Sequence, residues 1–358
     1  MLIGVPKEVK EDEYRVGLTP KSVASLSSRG HKVFVEYDLG AKIGFSNQQY
    51  IDSGASISST PEDLYQSSEL IVKVKEPQIS ELSYLNDKHI LFTFLHLAGN
   101  PDLACMLRDT GVTGIAYETL VASDGSLPLL APMSEIAGKI SIVVGNYHLL
   151  KPYNGKGVLL SQINDLDLRT ITVIGAGVAG RNAIDASINL GAKVNVIDLD
   201  EDKLKILKQK YPKNLEGHLS NDNNIAKCIS ESDLIIGSVY LTGKKAPTII
   251  TRSMLEQINP GTVLVDISID QGGCFETSKP TTHQDPTFLI DDILHYCVSN
   301  MPGAVPLTAS ESLNSASLSY VQKLADNDLN FLLNEQDFKS GLNIMAGEFK
   351  HPSLKEII

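Results

Sequence analysis

Residues 169–200 read R-T-I-T-V-I-G-A-G-V-A-G-R-N-A-I-D-A-S-I-N-L-G-A-K-V-N-V-I-D-L-D, and their pattern is strand, turn, helix, strand. Ile171, Val173 and Ile174 form the β-branched run of a buried parallel strand, halted at Gly175 where the chain must turn sharply. Gly175, Gly177 and Gly180 spell G-x-G-x-x-G. The first glycine allows the tight turn, the second lets the backbone approach a pyrophosphate, and the third lets the next helix pack closely on its strand. Amide N–H groups at the start of that helix, with the positive end of its dipole, offer an anion site. The helix runs through Ala183, Ile184, Ser187 and Ile188 to Gly191, a residue that ends helices at little cost. Val194, Val196 and Ile197 then make a second strand ending in Asp198. A carboxylate there accepts hydrogen bonds from ribose hydroxyls and repels a 2′-phosphate, so the reading is a dinucleotide site that favours NAD over NADP.

Working outward, 358 residues suffice for two domains. A formal net charge of -12 opposes a nucleic-acid or anionic-membrane partner. Cys105, Cys228, Cys274 and Cys297 contain no C-x-x-C pair, so reduced structural thiols and no metal site are expected. The N-terminus lacks a basic segment followed by an apolar core, and no apolar run approaches the ~18 residues that cross a bilayer. A cytoplasmic protein is expected.

Upstream of the glycine turn, Leu2, Ile3 and Val5 read as a strand followed by a polar loop, residues 7–18, and Thr19-Pro20 as N-cap and first residue of a helix. Strand patterns recur at residues 33–35, 70–74, 90–95 and 114–117 with helical stretches between, which predicts a first α/β domain built on a parallel sheet. Residues 132–150 read as one long connecting helix and a candidate hinge. Beyond Asp198, strands are expected at 233–239 and 263–269, the latter interrupted by Asp266. A long helix from about Ser310 to Leu333 has no further strand to pack beside, and the tail from Ile344 carries no readable pattern. The expected architecture is α/β with two Rossmann-like doubly wound domains, the second binding NAD, and a long C-terminal helix returning to the first. Residues 1–128 and 307–358 are assigned to the substrate domain and 129–306 to the dinucleotide domain.

Functional groups of an open α/β sheet lie just beyond the carboxyl ends of its strands. Arg15 follows the first strand, Lys75 closes I-V-K-V-K, and His96 closes I-L-F-T-F-L-H. Each also has a bland reading: Arg15 a solvated loop charge, Lys75 an exposed strand end beside Glu76, His96 a core histidine. Asp270, next to Gly272-Gly273, stands at another strand end or serves as a turn former.

Six segments carry a resemblance that runs nearly end to end: I-G-V-P-K-E at 3–8, E-Y-R-V-G-L-T-P at 13–20, L-I-V-K-V-K-E-P at 70–77, A-P-M-S-E-I-A-G at 131–138, V-D-I-S-I-D-Q-G-G-C-F-E-T-S-K-P-T-T-H at 265–283, and H-Y-C-V-S-N-M-P-G-A-V-P at 295–306. The chain resembles the alanine dehydrogenase and transhydrogenase α-subunit family, and within it the bacterial alanine dehydrogenases. The resemblance implies that Arg15 and Lys75 hold a substrate carboxylate and that His96 and Asp270 serve proton transfer. It implies cofactor contacts from Ser134, Asp198, Lys203, Ser220, Asn300 and Met301, beside Gly175, Gly177 and Gly180. Residues 157–170, G-V-L-L-S-Q-I-N-D-L-D-L-R-T, depart from the family's glycine- and proline-rich loop, and Gly145-Asn146-Tyr147-His148 is unusual for the connecting helix.

The expected reaction converts L-alanine, NAD and water into pyruvate, ammonia and NADH, with a cleft that closes for the chemistry, and the family suggests a homohexamer. Two rivals share the fold: a transhydrogenase NAD-binding subunit, and a non-catalytic dinucleotide-binding protein. The first family lacks the Lys, His and Asp set, and a mere binder has no need of it.

Overall fold

The computed structural model describes residues 1–241 and 245–355. The chain forms two compact units, Met1–Met133 together with the chain from Val305 onward, and Ser134–Ala304. No helix of the described residues is long and apolar enough to cross a membrane.

The first unit holds a sheet whose strands run, in chain order, β1 (Leu2–Val5), β2 (Lys32–Glu36), β3 (Ala55–Ser58), β4 (Leu70–Val72), β5 (Ile90–Thr93) and β6 (Thr113–Ala116). All six are parallel neighbours in the order β6-β5-β4-β1-β2-β3. Thr19 caps helix Pro20–Ser28, its hydroxyl accepting from the Ser22 N–H, with Pro20 at the first position. Because both faces of a parallel sheet are covered, its strands read as near-continuous apolar runs: Ile3, Val5, Leu70, Ile71, Val72, Leu91 and Phe92 are all fully buried.

The second unit contains β7 (Thr170–Ile174), β8 (Lys193–Asp198), β9 (Leu215–Leu219), β10 (Leu234–Gly237), β11 (Val263–Asp266), β12 (Thr287–Ile290) and β13 (Ile293–Tyr296). Their order is β12-β13-β11-β10-β7-β8-β9, with β12 antiparallel at the edge. The strand order reverses between β7 and β10, and the glycine turn sits at that switch point, where open α/β sheets bind their ligands. The long helix expected at 132–150 is Ala131–His148. Its unusual Asn146 has a local role, its side-chain oxygen accepting the Leu160 N–H at 3.0 Å.

Two expectations for the C-terminal region fail. The long helix is Pro306–Asp326, and the chain after it breaks into the short helices Leu329–Leu332 and Gln336–Gly341. The tail is structural: β14 (Leu342–Met345) pairs antiparallel with β6, and β15 (Glu348–Phe349) folds back on it. The last three residues of the assigned range 307–358 lie outside the described residues. The tail escaped notice because its strands are four and two residues long, too short for a period to show. Ile344, Phe349 and Leu354 nonetheless join one core with Leu95, Leu97 and Leu107. Replacing fully buried Ile344 by Ala is therefore expected to cost about 2–5 kcal/mol, read from urea unfolding. A loss below about 0.5 kcal/mol, the range of surface substitutions, would mean the hairpin is peripheral.

Candidate active site

Strands β5, β4 and β1 are neighbours, so the chain leaves their carboxyl ends at one edge. His96, Lys75 and Arg15 follow those three ends. Burial reverses all three bland readings. Arg15 is only 3% exposed: its Nε and Nη2 donate to the two carboxylate oxygens of Glu13 at 2.7 and 2.5 Å, and Nη1 lies 3.2 Å from the Met133 sulfur. Lys75 is 8% exposed, its carbonyl accepting from the Thr93 hydroxyl at 2.9 Å. Burial pushes the Glu76 carboxyl up, but the Lys75 ammonium beside it and Lys10 at 2.5 Å hold it below the usual range. His96, by contrast, is an exposed ring stacked parallel on Phe94, centroids 5.6 Å apart. Its backbone is left-handed, φ 48° and ψ 31°, an uncommon state for a residue other than glycine.

Beneath this edge lies a charge cluster that the sequence reading missed. Lys73 has no exposed surface, and its ammonium contacts Glu8 at 3.1 Å and Glu81 at 2.8 Å. Glu8 also accepts the N–H groups of Val74 and Lys75 at 2.7 and 3.3 Å. Burial drives the Glu8 carboxyl above its ordinary value. Burial also opposes the Lys73 charge, but Glu8 and Glu81 more than offset it and hold that ammonium above its ordinary value.

In the second unit, Gly175 has φ 96°, and a Cβ there would lie 2.6 Å from the Ser238 carbonyl. A Cβ on Gly180 would sit 1.8 Å from the Gly175 carbonyl, whereas at Gly177 nothing lies within 4 Å. Helix Val178–Asn189 starts without a side-chain cap. Open space over Gly177 beside first-turn N–H groups fits a pyrophosphate. Asp198 does more than its sequence role: Oδ2 accepts the Ala176 N–H at 2.6 Å and Oδ1 the Asp200 N–H at 2.9 Å. Each oxygen keeps acceptor capacity for a ribose hydroxyl. Ser220 follows β9 directly and donates its N–H to the Asp198 carbonyl at 2.9 Å. Lys203 is exposed and pairs with Asp200 at 3.6 Å, and Ser134 is half-buried in the first turn of helix Ala131–His148.

Asp270 and Asn300 are brought together, the Asn300 N–H lying 3.3 Å from both Asp270 oxygens. Met301 is buried directly after it. The turn Ile267–Gln271 that carries Asp270 is fixed by Asp266, which accepts from Ser268 N–H, Cys274 N–H and the Ser278 hydroxyl at 2.9, 2.9 and 2.5 Å. Burial raises the Asp266 pKa in spite of these donors. The signal for Asp266 was its place in an apolar strand; for Glu13, its position two residues before Arg15. Among the described residues, no group of three or more His, Cys, Asp or Glu is placed to hold a metal ion.

These features define a doubly wound α/β protein with a glycine turn at the switch point of one sheet and, past the strand ends of the other, two buried cations and an exposed imidazole. The family models for the N-terminal and C-terminal domains of alanine dehydrogenase/PNT match residues 4–137 and 141–352. The chain belongs to the alanine dehydrogenase/PNT family. It is 44% identical to an alanine dehydrogenase of Halomonas elongata over 99% of this chain and 96% of the other. It is 42% identical to that of Bacillus subtilis over 99% and 94%. A solved L-alanine dehydrogenase superposes with a TM-score of 0.95 at 41% identity, covering 100% of this chain and 99% of the other. A transhydrogenase from Sinorhizobium meliloti shares the fold, with a TM-score of 0.83 at 22% identity and coverage of 99% and 100%. Such a family implies a nicotinamide dinucleotide. Gly180→Ala, which drives a Cβ into the Gly175 carbonyl, is expected to weaken NADH binding at least tenfold, roughly 1.4 kcal/mol, in a fluorescence titration. An unchanged Kd would show that the turn relaxes.

Proposed function

We propose that the protein catalyses reversible oxidative deamination of L-alanine, in which L-alanine, NAD and water give pyruvate, ammonium, NADH and a proton. The observation that carries this reading is the pair of buried cations, Lys75 just past β4 and Arg15 in the loop after β1, on the same sheet as β5, which leads to an exposed imidazole. A binder or a hydride shuttle has no use for that set. The relatives named alanine dehydrogenase support the choice of amino acid.

Arg15 and Lys75 hold the substrate carboxylate, the guanidinium as a planar donor and the ammonium as a point charge. The dinucleotide, when bound, supplies the hydride acceptor. Loss of hydride from Cα leaves an iminium, which water attacks to form a carbinolamine that expels ammonia. His96 takes the proton from that water and returns one to the leaving nitrogen, a role suited to an imidazole near neutral pH. Asp270, anchored at Asn300, stabilises the positive charge on nitrogen. On the cofactor side, Gly175, Gly177 and Gly180 accommodate the pyrophosphate and Asp198 holds the ribose and disfavours a 2′-phosphate, so the dinucleotide is NAD. Ser134, Lys203, Ser220, Asn300 and Met301 are assigned further cofactor contacts. We infer a cytoplasmic homohexamer, as the resemblance to the family suggests.

Formation of NADH from alanine at alkaline pH, compared with serine, valine and 2-aminobutyrate, tests the reading directly; no NADH from any of them defeats it. His96→Ala is expected to lower turnover about a hundredfold or more, the range of positioned acid–base groups, while NADH affinity stays nearly constant. Survival of activity would remove His96 from proton transfer. Asp198→Ala is expected to weaken NAD binding and relax discrimination against NADP, and an unaltered preference would count against the strand-end acid.

A further inference from the structure

Glu118 lies just past β6, in the short turn Tyr117–Thr119. Strands β5 and β6 pair in parallel with Thr93 opposite Ala116, so the turn after one faces the turn after the other. The Glu118 carboxylate is 9% exposed and is directed at two backbone amides: Oε1 accepts the His96 N–H at 2.6 Å, and the Leu95 N–H lies 3.3 and 3.2 Å from Oε1 and Oε2. Those amides belong to the turn that forces His96 into its left-handed conformation. On the apolar side the same turn is clamped, since Leu95 and Leu97 are buried in one cluster with Phe349 and Leu354 of the tail.

We propose that Glu118 is a positioning residue for the proposed chemistry: it acts through His96, fixing the backbone from which the imidazole projects. The inference rests on the reading of His96 as the acid–base group. An exposed ring has few packing contacts to set its place, here the face of Phe94, so its location depends on the φ and ψ of residue 96. A carboxylate accepting amide N–H groups makes shorter and stronger hydrogen bonds than a neutral acceptor, and it gives a strained turn the anchor it needs.

The test uses the full-length enzyme with Glu118→Gln, which keeps the shape and loses the charge, and Glu118→Asp, which keeps the charge and withdraws the oxygens by one methylene. Both are expected to lower kcat on the order of tenfold to a hundredfold, the cost of a small misplacement of a reacting group, with alanine KM and NADH affinity little changed. In His96→Ala, adding Glu118→Gln should slow turnover no further, because the group being positioned is already gone. Wild-type kcat in both Glu118 variants, a loss confined to KM, or losses that multiply in the double variant would each overturn the proposal. Should one variant fail to fold, the other supplies the same kcat and KM comparison. Full activity of His96→Ala by itself would instead sink the acid–base reading, whatever Glu118 does, so the two failures are told apart.

Discussion

The buried Lys73, held between Glu8 and Glu81, is the constraint on which the rest of this sheet edge depends. Charges removed from water are costly unless each is paired and its remaining hydrogen-bonding capacity is used. Here the pairing is nearly complete: Glu81 also accepts from the Tyr65 hydroxyl and the Gln78 N–H, and Glu8 from two backbone amides. The consequence is geometric. Glu8 belongs to the loop after β1 and Lys73 to the end of β4, so the cluster ties together the two segments that deliver Arg15 and Lys75. A hydrophobic trio of similar volume could fill the space, but it would leave the amides of Val74 and Lys75 without their acceptor.

The same device recurs at three other strand ends. Asp266 holds the turn after β11, Asp198 the glycine turn after β7, and Glu118 the turn after β5, each by accepting backbone N–H groups that the sheet no longer pairs. Parallel strands stop abruptly, and their last amides must find partners off the ladder. These carboxylates are thus turned inward to backbone amides, so their charge is spent on fixing turns and not on the surface.

What the sequence discloses follows from the range of each interaction. The glycine turn, the helix after it and Asp198 are contiguous, and their reasons are local, so they were legible in full. The two sheets were legible as apolar runs, although strand ends were overestimated: residues 70–74 and 90–95 supplied only Leu70–Val72 and Ile90–Thr93, because the apolar pattern outlasts the regular pairing. Strands β3, β9 and β14, short and partly polar, left no pattern. Burial was the least legible property. Arg15 and Lys75 look like surface charges, and His96 like a core ring, because what reverses each reading comes from elsewhere: Glu13 two residues off for Arg15, Thr93 from the next strand for Lys75, and Glu118 more distant still for His96.

That pairing of every cation also bears on what the edge can recognise. Arg15 is forked onto Glu13, and Lys75 stands beside Glu76, so neither presents an uncompensated charge. An edge of this kind draws little from a long-range field and selects instead through the direction of individual donors, set within low-dielectric surroundings where a misaligned partner is penalised. A ligand of large net charge would gain no advantage there. A small zwitterion, neutral overall but with its carboxylate and ammonium at fixed separation, makes full use of directed donors, and that is the chemical character of a free amino acid.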